Sequence, residues 1–373
     1  MWLLVSFHAS GQIALPLTQY TEVLPLFNPA FSGIEDHTDI RIGLRRQWSG
    51  INNSPFANYV HVSGMLPEIK RKKKRRVRYR SPYDVDKMTD MVKLPGNALR
   101  MSNPNLYRKL VRDSIQRAVR KLDRKARIKL RRQLQPQTSI RIRPKHGYSA
   151  TLLNDEQGAF SNLTANLGYA YHMPVSDKMI LSIGVSATFN SAEFDRNRAR
   201  VSNEADDPLY QLYANGGLNR FSYYINPGVS LYSDNFYVSY GINRIMGSGL
   251  GSGQVFGIDG VETQHNLIAA TFIDLAPDFK LSPGILFSYK VLSPATLYAN
   301  TKLFYKEKIW LALNYRNRDA VGGAFGFYFS DKYKLSYAYD VPVAKLNNSF
   351  GSTHEFVFGI LLKKGAAPKP FNF

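Results

Sequence analysis

The chain has 373 residues, no cysteine, 44% apolar and 13% aromatic residues, and a formal net charge of +21. Zero cysteines exclude disulfides, thiolate metal sites and cysteine nucleophiles, and a charged content of only 21% excludes a disordered chain. No apolar run reaches the roughly 18 residues of a helical membrane span, a limit that does not apply to strands.

The chain opens on Met1–Gly11, where Trp2–Phe7 is apolar and Ala9-Ser10-Gly11 sets small residues before Gln12. Residues 1–11 read as a secretory signal peptide that lacks a basic n-region; a buried N-terminal strand is the other reading. After residues 12–36, the segments 37–48 and 55–66 alternate apolar with small or polar residues. That period of two marks strands with one apolar face.

Residues 68–145 differ in kind. From Glu68 to His146 there are 27 Lys and Arg against 6 Asp and Glu, whereas the rest of the chain has 22 of each. The whole excess charge lies in this one segment. It begins with the unbroken block Lys70, Arg71, Lys72, Lys73, Lys74, Arg75, Arg76. Asn103-Pro104 then supplies a helix cap and first turn. From there to Pro136 the apolar residues Val111, Ile115, Ala118, Leu122 and Ala126 recur at helical spacing, extended by Leu106, Leu110, Leu130 and Leu134. Arg117, Arg120, Lys121, Arg124 and Lys125 crowd the other faces. Such an amphipathic cationic helix fits an acidic protein partner, peptidoglycan or anionic lipid headgroups, or else a solvated insertion without a partner. In an exported chain it does not point to nucleic acid.

Beyond it the strand period returns. Leu163, Leu167 and Tyr169 alternate with Thr164, Asn166 and Gly168, and Ile183, Val185 and Phe189 with Gly184, Ser186 and Asn190. Similar runs reach 362, and residues 363–373 form a tail. Counting from the start predicts about fourteen strands: 37–48, 55–66, 146–154, 160–173, 178–190, 220–232, 234–246, 262–276, 279–291, 293–305, 308–317, 320–329, 332–340 and 352–362. Their second faces carry Ser, Thr, Gly and Asn rather than charges. A membrane barrel with a polar lumen needs that; a soluble β-sandwich is the alternative. Trp48, Tyr59, Tyr171, Tyr315 and Tyr339 are expected at the membrane interfaces. Tight links at Pro174–Asp177, Ser233-Asp234 and Asp331-Lys332 suit periplasmic turns, and Ala192–Asn219 and Gly247–Glu262 suit external loops. The fold expected is all-β: a transmembrane antiparallel barrel of about 14 strands, with a basic helical insertion between strands 2 and 3. Arg41, Arg45, Arg46, Arg316 and Arg318 are expected in the lumen or at its rims, because Arg on a lipid face costs about 2–4 kcal/mol at mid-depth. Asp340 or Glu355 would partner them.

Tyr20, Pro25, the box Phe27-Asn28-Pro29-Ala30-Phe31-Ser32-Gly33, then Arg45-Arg46-Gln47-Trp48-Ser49-Gly50 and Pro55 form a specific N-terminal pattern. With Leu152–Gly158, Tyr169–His172, Tyr337-Ala338-Tyr339-Asp340 and Gly351-Ser352-Thr353-His354-Glu355, it resembles the PorP/SprF family of the Bacteroidota type IX secretion and gliding machinery. The resemblance spans about Gln12 to Leu362, except the basic segment. It implies an outer-membrane barrel that works with a periplasmic lipoprotein ring and motor, or attaches a secreted adhesin through its C-terminal domain. The basic segment has no counterpart there; its position after strand 2 puts it in the periplasm. Residues 12–36 would then line the periplasmic mouth or plug the lumen.

The chemistry of the chain agrees with a non-catalytic role. Its seven histidines form no HExxH, and no Walker A run occurs. The glycines of 247–253 lack the dinucleotide-binding spacing, Asp155-Glu156 and Asp206-Asp207 read as solvated pairs, and His354-Glu355 reads as a structural element. No catalytic residue, cofactor or metal is expected. A porin or solute channel remains the alternative function.

Overall fold

The computed structural model describes residues 17–35, 37–51, 53–66, 103–119, 144–176, 178–199, 206–207, 210–211, 220–250, 263–290, 293–343 and 351–362. The leader, the tail, Lys70–Arg76 and Arg120–Lys125 lie outside them.

Alternation of apolar and small polar residues folds here as an antiparallel barrel. Its strands are β1 (Thr38–Arg46), β2 (Phe56–Met65), β3 (Lys145–Gln157), β4 (Phe160–Pro174), β5 (Ile180–Phe194), β6 (Arg220–Tyr232), β7 (Phe236–Asn243) and β8 (Met246–Leu250). They continue as β9 (Gln264–Thr271), β10 (Ile273–Ala276), β11 (Phe279–Lys290), β12 (Ser293–Tyr305), β13 (Ile309–Arg316), β14 (Ala320–Tyr328), β15 (Tyr333–Pro342) and β16 (Thr353–Leu362). Sequence neighbours pair from β1 to β7 and from β10 to β16, β9 pairs with β7 and β11, and β16 closes on β1 from Thr38↔Leu362 to Arg46↔His354. β7 and β8 lie end to end along β6, as β9 and β10 do along β11. The sixteen described strands therefore make fourteen staves. Two expected strands are interrupted: 234–246 stops at Arg244, whose φ is +63°, and 262–276 at Phe272. Residues 247–250, expected to open a loop, pair with β6 instead.

The two faces separate by polarity. Ile42, Leu44, Leu167, Ile183, Val238, Leu311, Leu313 and Phe356 point outward and are exposed, whereas Asn166, Ser182, Ser186, Asn226, Ser230 and Asn266 point inward and are buried. An exposed apolar belt around a closed sheet is the surface of a protein solvated by lipid. Tyr59 departs from expectation. It points into the barrel opposite Gly43, where its ring lies over the space a side chain at 43 would fill. The pattern of apolar spacing could not separate this inward tyrosine from an interfacial one.

The strand ends define two rims. One carries the start of β1, the end of β16, the short turns 175–179, 233–235, 277–278, 306–308 and 329–332, and the points Met65 and Lys145 where the chain leaves and re-enters the sheet. The other carries the long connections 195–219, 251–263 and 343–352 together with short turns such as 158–159 and 317–319.

Residues 68–142 form a second compact unit. In it, α2 (Pro104–Val119) begins at the expected cap: Asn103 Oδ1 accepts from Leu106 N at 3.1 Å, and its carbonyl accepts from Tyr107 N at 3.0 Å. Tyr107 and Val111 are buried while Leu106 and Leu110 are exposed, so the buried stripe runs through Tyr107 instead. Arg117 falls in this helix; the expected continuation to Pro136 lies outside the described residues.

Candidate functional site

The chain ahead of β1 fills the lumen. Pro25 and Pro29 fix φ, and the segment folds into the short turns Tyr20–Val23, α1 (Leu24–Phe27) and Pro29–Phe31. Asn28, in an extended conformation, caps the last of these by accepting from Ala30 N at 2.9 Å. Leu17, Val23, Ala30 and Phe31 are fully buried. Side-chain hydrogen bonds or ion pairs tie this plug to eleven strands, β1 to β7, β9, β12, β15 and β16. The cavity beside Leu24, Pro25, Glu35 and His61 is about 20 Å³, and that beside Tyr20 and Tyr298 about 10 Å³. Each has room for about one water.

Two kinds of attachment hold the plug. The half Phe27–Gly33 lies on a floor of glycines. A Cβ at Gly147 would overlap the Ser32 carbonyl, one at Gly184 the Ala30 amide, and one at Gly228 the Asn28 side chain. Backbone thereby meets backbone, and short polar side chains finish the contact. Ser182 Oγ donates to the Ala30 carbonyl at 2.7 Å, Asn28 Nδ2 to the Val229 carbonyl at 3.2 Å, and Gly33 N to Ser63 Oγ at 2.9 Å. His172 Nε2 reaches the Ser32 carbonyl at 2.9 Å while its Nδ1 meets Tyr232 OH at 3.0 Å. Phe31 packs edge-on against Tyr237, with ring centroids 5.3 Å apart.

The half Leu17–Val23 is held by charge. Glu22 is 2.6 Å from Lys334 Nζ, 3.4 Å from Arg41 and 3.8 Å from Lys302, and Arg41 also donates to the Glu22 carbonyl. Burial alone would raise the Glu22 carboxyl; Lys334, then Arg41 and Lys302, outweigh it and bring it down to about 2. Glu35, 3.0 Å from Arg41, is held below the usual carboxylate range in the same way: burial opposes, and Arg41 and His37 prevail. At the other end of this half, the Glu355 carboxylate accepts from Thr18 N at 2.8 Å and Gln19 N at 3.0 Å, with Arg45 3.6 Å away. Asp340 accepts from Thr18 Oγ1 and lies 3.7 Å from Arg316.

These contacts show where the expected residues fall. Asn28, Pro29 and Gly33 are in the plug, Gly33 at φ +67° in a left-handed turn that only glycine enters freely. Asp340 and Glu355 hold it from the wall. Their neighbours Tyr339 and His354 point outward, as Arg46 does beside inward Arg45. The wall at β15–β16–β1 thus holds the plug with one residue of each pair and presents the other to the surroundings. Arg41, Arg45 and Arg316 are buried in the lumen, Arg46 ends β1 on the outer face, and Arg318 lies in the turn 317–319. Gln47 binds Arg45 through its side chain at 2.8 Å and the Pro55 carbonyl through its amide at 2.9 Å. Trp48, at φ +56°, and Gly50 lie in the same β1–β2 connection, and Gly50 packs against Gly351. Glu22, Lys302 and Lys334 were not singled out from sequence, and His172 entered only as the end of the Tyr169–His172 motif. The only sign of the two lysines was a basic residue at an inward position, Lys302 on an otherwise uncharged strand face and Lys334 on a face it shares with Asp340.

Glu35, His37 and Asp39 bring possible metal-ligand atoms within 4.8 Å of one another. Arg41 already pairs with both carboxylates, and Arg41, Lys302 and Lys334 balance Glu22, Glu35 and Asp39. A divalent ion would have to displace that guanidinium, so the cluster fits the ion pairs better than a cation.

A closed fourteen-stave sheet, lipid-facing outside and filled by its own N-terminal segment, defines a plugged β-barrel of the outer-membrane type. The family model of the type IX secretion system membrane protein PorP/SprF matches residues 9–74 and 130–360. The chain belongs to that family. Among curated proteins none matches. Among solved structures it is similar to the monoaromatic hydrocarbon channel CymD (9% identity, TM-score 0.44, covering 96% of each chain). The Pseudomonas putida toluene transporter TodX is similar at 8% identity and TM-score 0.41, over 91% of this chain and 93% of that one. CdiB from Acinetobacter baumannii follows at 7% and 0.36, over 87% and 60%. Likenesses this distant carry no argument about function.

Proposed function

We propose that this protein is a sealed, non-enzymatic docking component of the type IX secretion and gliding apparatus. It joins the outer membrane to the periplasmic ring and motor lipoproteins, or holds a secreted adhesin by its C-terminal domain. The observation that carries this reading is the plug: a family member whose lumen is filled by its own chain acts through its surfaces and not as a conduit. Its buried carboxylates are engaged in holding the plug, which leaves them unsuited to acid–base chemistry.

The basic segment is the periplasmic arm in this reading. The chain leaves β2 and re-enters β3 at the rim where the other connections are all short, opposite the rim with the long connections 195–219, 251–263 and 343–352, and in bacterial barrels the long loops face outward and short turns the periplasm. A net charge of +21 over residues 68–146 would attract an acidic ring partner, peptidoglycan or anionic headgroups, with a pull that fades as salt screens it. The leader would be removed on export.

The test is a detergent pull-down from outer membranes, comparing the intact chain with one lacking 68–145 at low and high salt. Ring lipoproteins that follow only the intact chain and leave as salt rises support the arm as the docking element. Equal recovery by both chains moves the contacts to the barrel. No partner with either, together with ion conductance of the intact barrel in planar bilayers, favours a solute channel and overturns the proposal.

A further inference from the structure

The outer face of the β15–β16–β1 wall carries a polar row at the edge of the apolar belt. Going up β1 the outward residues are Ile40, Ile42, Leu44 and then Arg46; going up β16 they are Ile360, Phe358, Phe356 and then His354. The pairings Arg46↔His354 and Tyr339↔His354 set the three polar residues side by side on adjacent strands. Their bonding leaves one face of the row open. Arg46 Nε donates to Ser54 Oγ at 2.9 Å, which leaves both Nη groups directed elsewhere, and among the described residues no carboxylate pairs with it. His354 Nδ1 meets Tyr337 OH at 2.8 Å, and among the described residues its Nε2 has no partner. Tyr339 OH meets Ser352 Oγ at 2.6 Å, and its ring stands edge-on to His354 at 5.3 Å.

An exposed guanidinium at the boundary where a lipid-facing surface ends lies at the level of headgroup phosphates. Two Nη groups form the fork that phosphate oxygens accept, and a bond to an ionised phosphate is stronger than one to water. The contrast with Arg198 is informative. That residue, also exposed at the long-loop rim, is paired with Glu156 and Asp195 and has no free charge to offer.

We infer that Arg46, with His354 and Tyr339 beside it, binds the phosphate of an outer-leaflet lipid, its acyl chains lying on Leu44, Phe356 and Ile42. The site is distinct from the docking role and rests only on the orientation that puts the long-loop rim outside. That orientation is checked separately: the chain has no cysteine, so Asn197→Cys in the turn after β5 should be labelled on intact cells by a membrane-impermeant maleimide.

The decisive measurement is native mass spectrometry of the full chain in detergent, titrated with diphosphoryl lipid A. Wild type should retain the lipid, Arg46→Gln should retain it about tenfold less well, and Arg198→Gln should match wild type. Arg46 is exposed, so its variant should keep the wild-type heat-modifiable gel mobility. Millimolar inorganic phosphate should displace the lipid poorly, because the acyl chains share the binding. Equal retention by wild type and Arg46→Gln, no retention by wild type, or full displacement by inorganic phosphate would each overturn the inference.

Discussion

The two halves of the plug are held by opposite physics. Thr18 to Glu22 meets the wall through carboxylates and cations, and a formal charge at nearly every contact makes that half sensitive to protonation and to loss of one partner. Phe27 to Gly33 meets it through glycines and short hydroxyl and amide groups, with the His172 imidazole on the Ser32 carbonyl and no formal ion pair. A barrel that seals itself thus combines a contact built on ion pairs with one built on close backbone approach.

The largest expected effect comes from breaking the charged half at its centre. Glu22→Gln leaves Lys334, Lys302 and Arg41 without their shared carboxylate, and removing one member of a buried ion cluster costs about 3–5 kcal/mol. The heat-modifiable band should shift at a lower temperature, and single-channel recordings should show openings that wild type lacks. Acid should act through the same residue. The Glu22 pKa in the folded chain lies at about 2, below its ordinary value of 4.5, so its stabilisation is complete above about pH 4.5 and is lost as pH falls toward 2. Glu35, held low by Arg41, adds to the same slope. Thermal midpoints of wild type should fall across that window, and those of Glu22→Gln should fall less. Parallel pH profiles would show that Glu22 does not carry the latch.

A smaller effect is expected on the floor. Gly147→Ala forces a methyl group against the Ser32 carbonyl, and such overpacking costs about 1–3 kcal/mol. Its cost should change less between pH 7 and pH 4 than that of Glu22→Gln. Asn28→Ala removes the cap on Ala30 N and the bond to the Val229 carbonyl, for about 1–2 kcal/mol in thermal unfolding.

Much of the barrel was legible because a strand of a membrane barrel states its two faces in alternate residues. Arg45 and Arg316 could be turned inward, and Glu355 and Asp340 offered as partners, from that period and the cost of charge in lipid. The plug was legible only as a possibility. Its contacts join residues 337 and 322 positions apart, as in Thr18–Glu355 and Thr18–Asp340, and nothing periodic in residues 17–33 points to the strand each will meet. The box Asn28-Pro29-Ala30 could be recognised as a pattern, but its reason lies on other strands, at Gly147, Gly184 and Gly228. A glycine in a barrel strand reads the same whether it faces a plug or an empty lumen.

The sharpest test of the comparison is the smallest number. If the halves are independent attachments, Glu22→Gln and Gly147→Ala should add, with a coupling energy below about 0.5 kcal/mol in a double-mutant cycle on thermal unfolding. If the plug leaves as one rigid piece, the first substitution releases both halves, the second costs almost nothing more, and the double variant melts like the weaker single one. Additivity would mean that the charged half can let go while the glycine floor still holds Phe27–Gly33 in place. Acid would then loosen the contacts of Glu22 without clearing the lumen, and conductance at low pH should stay below that of a barrel lacking residues 17–35.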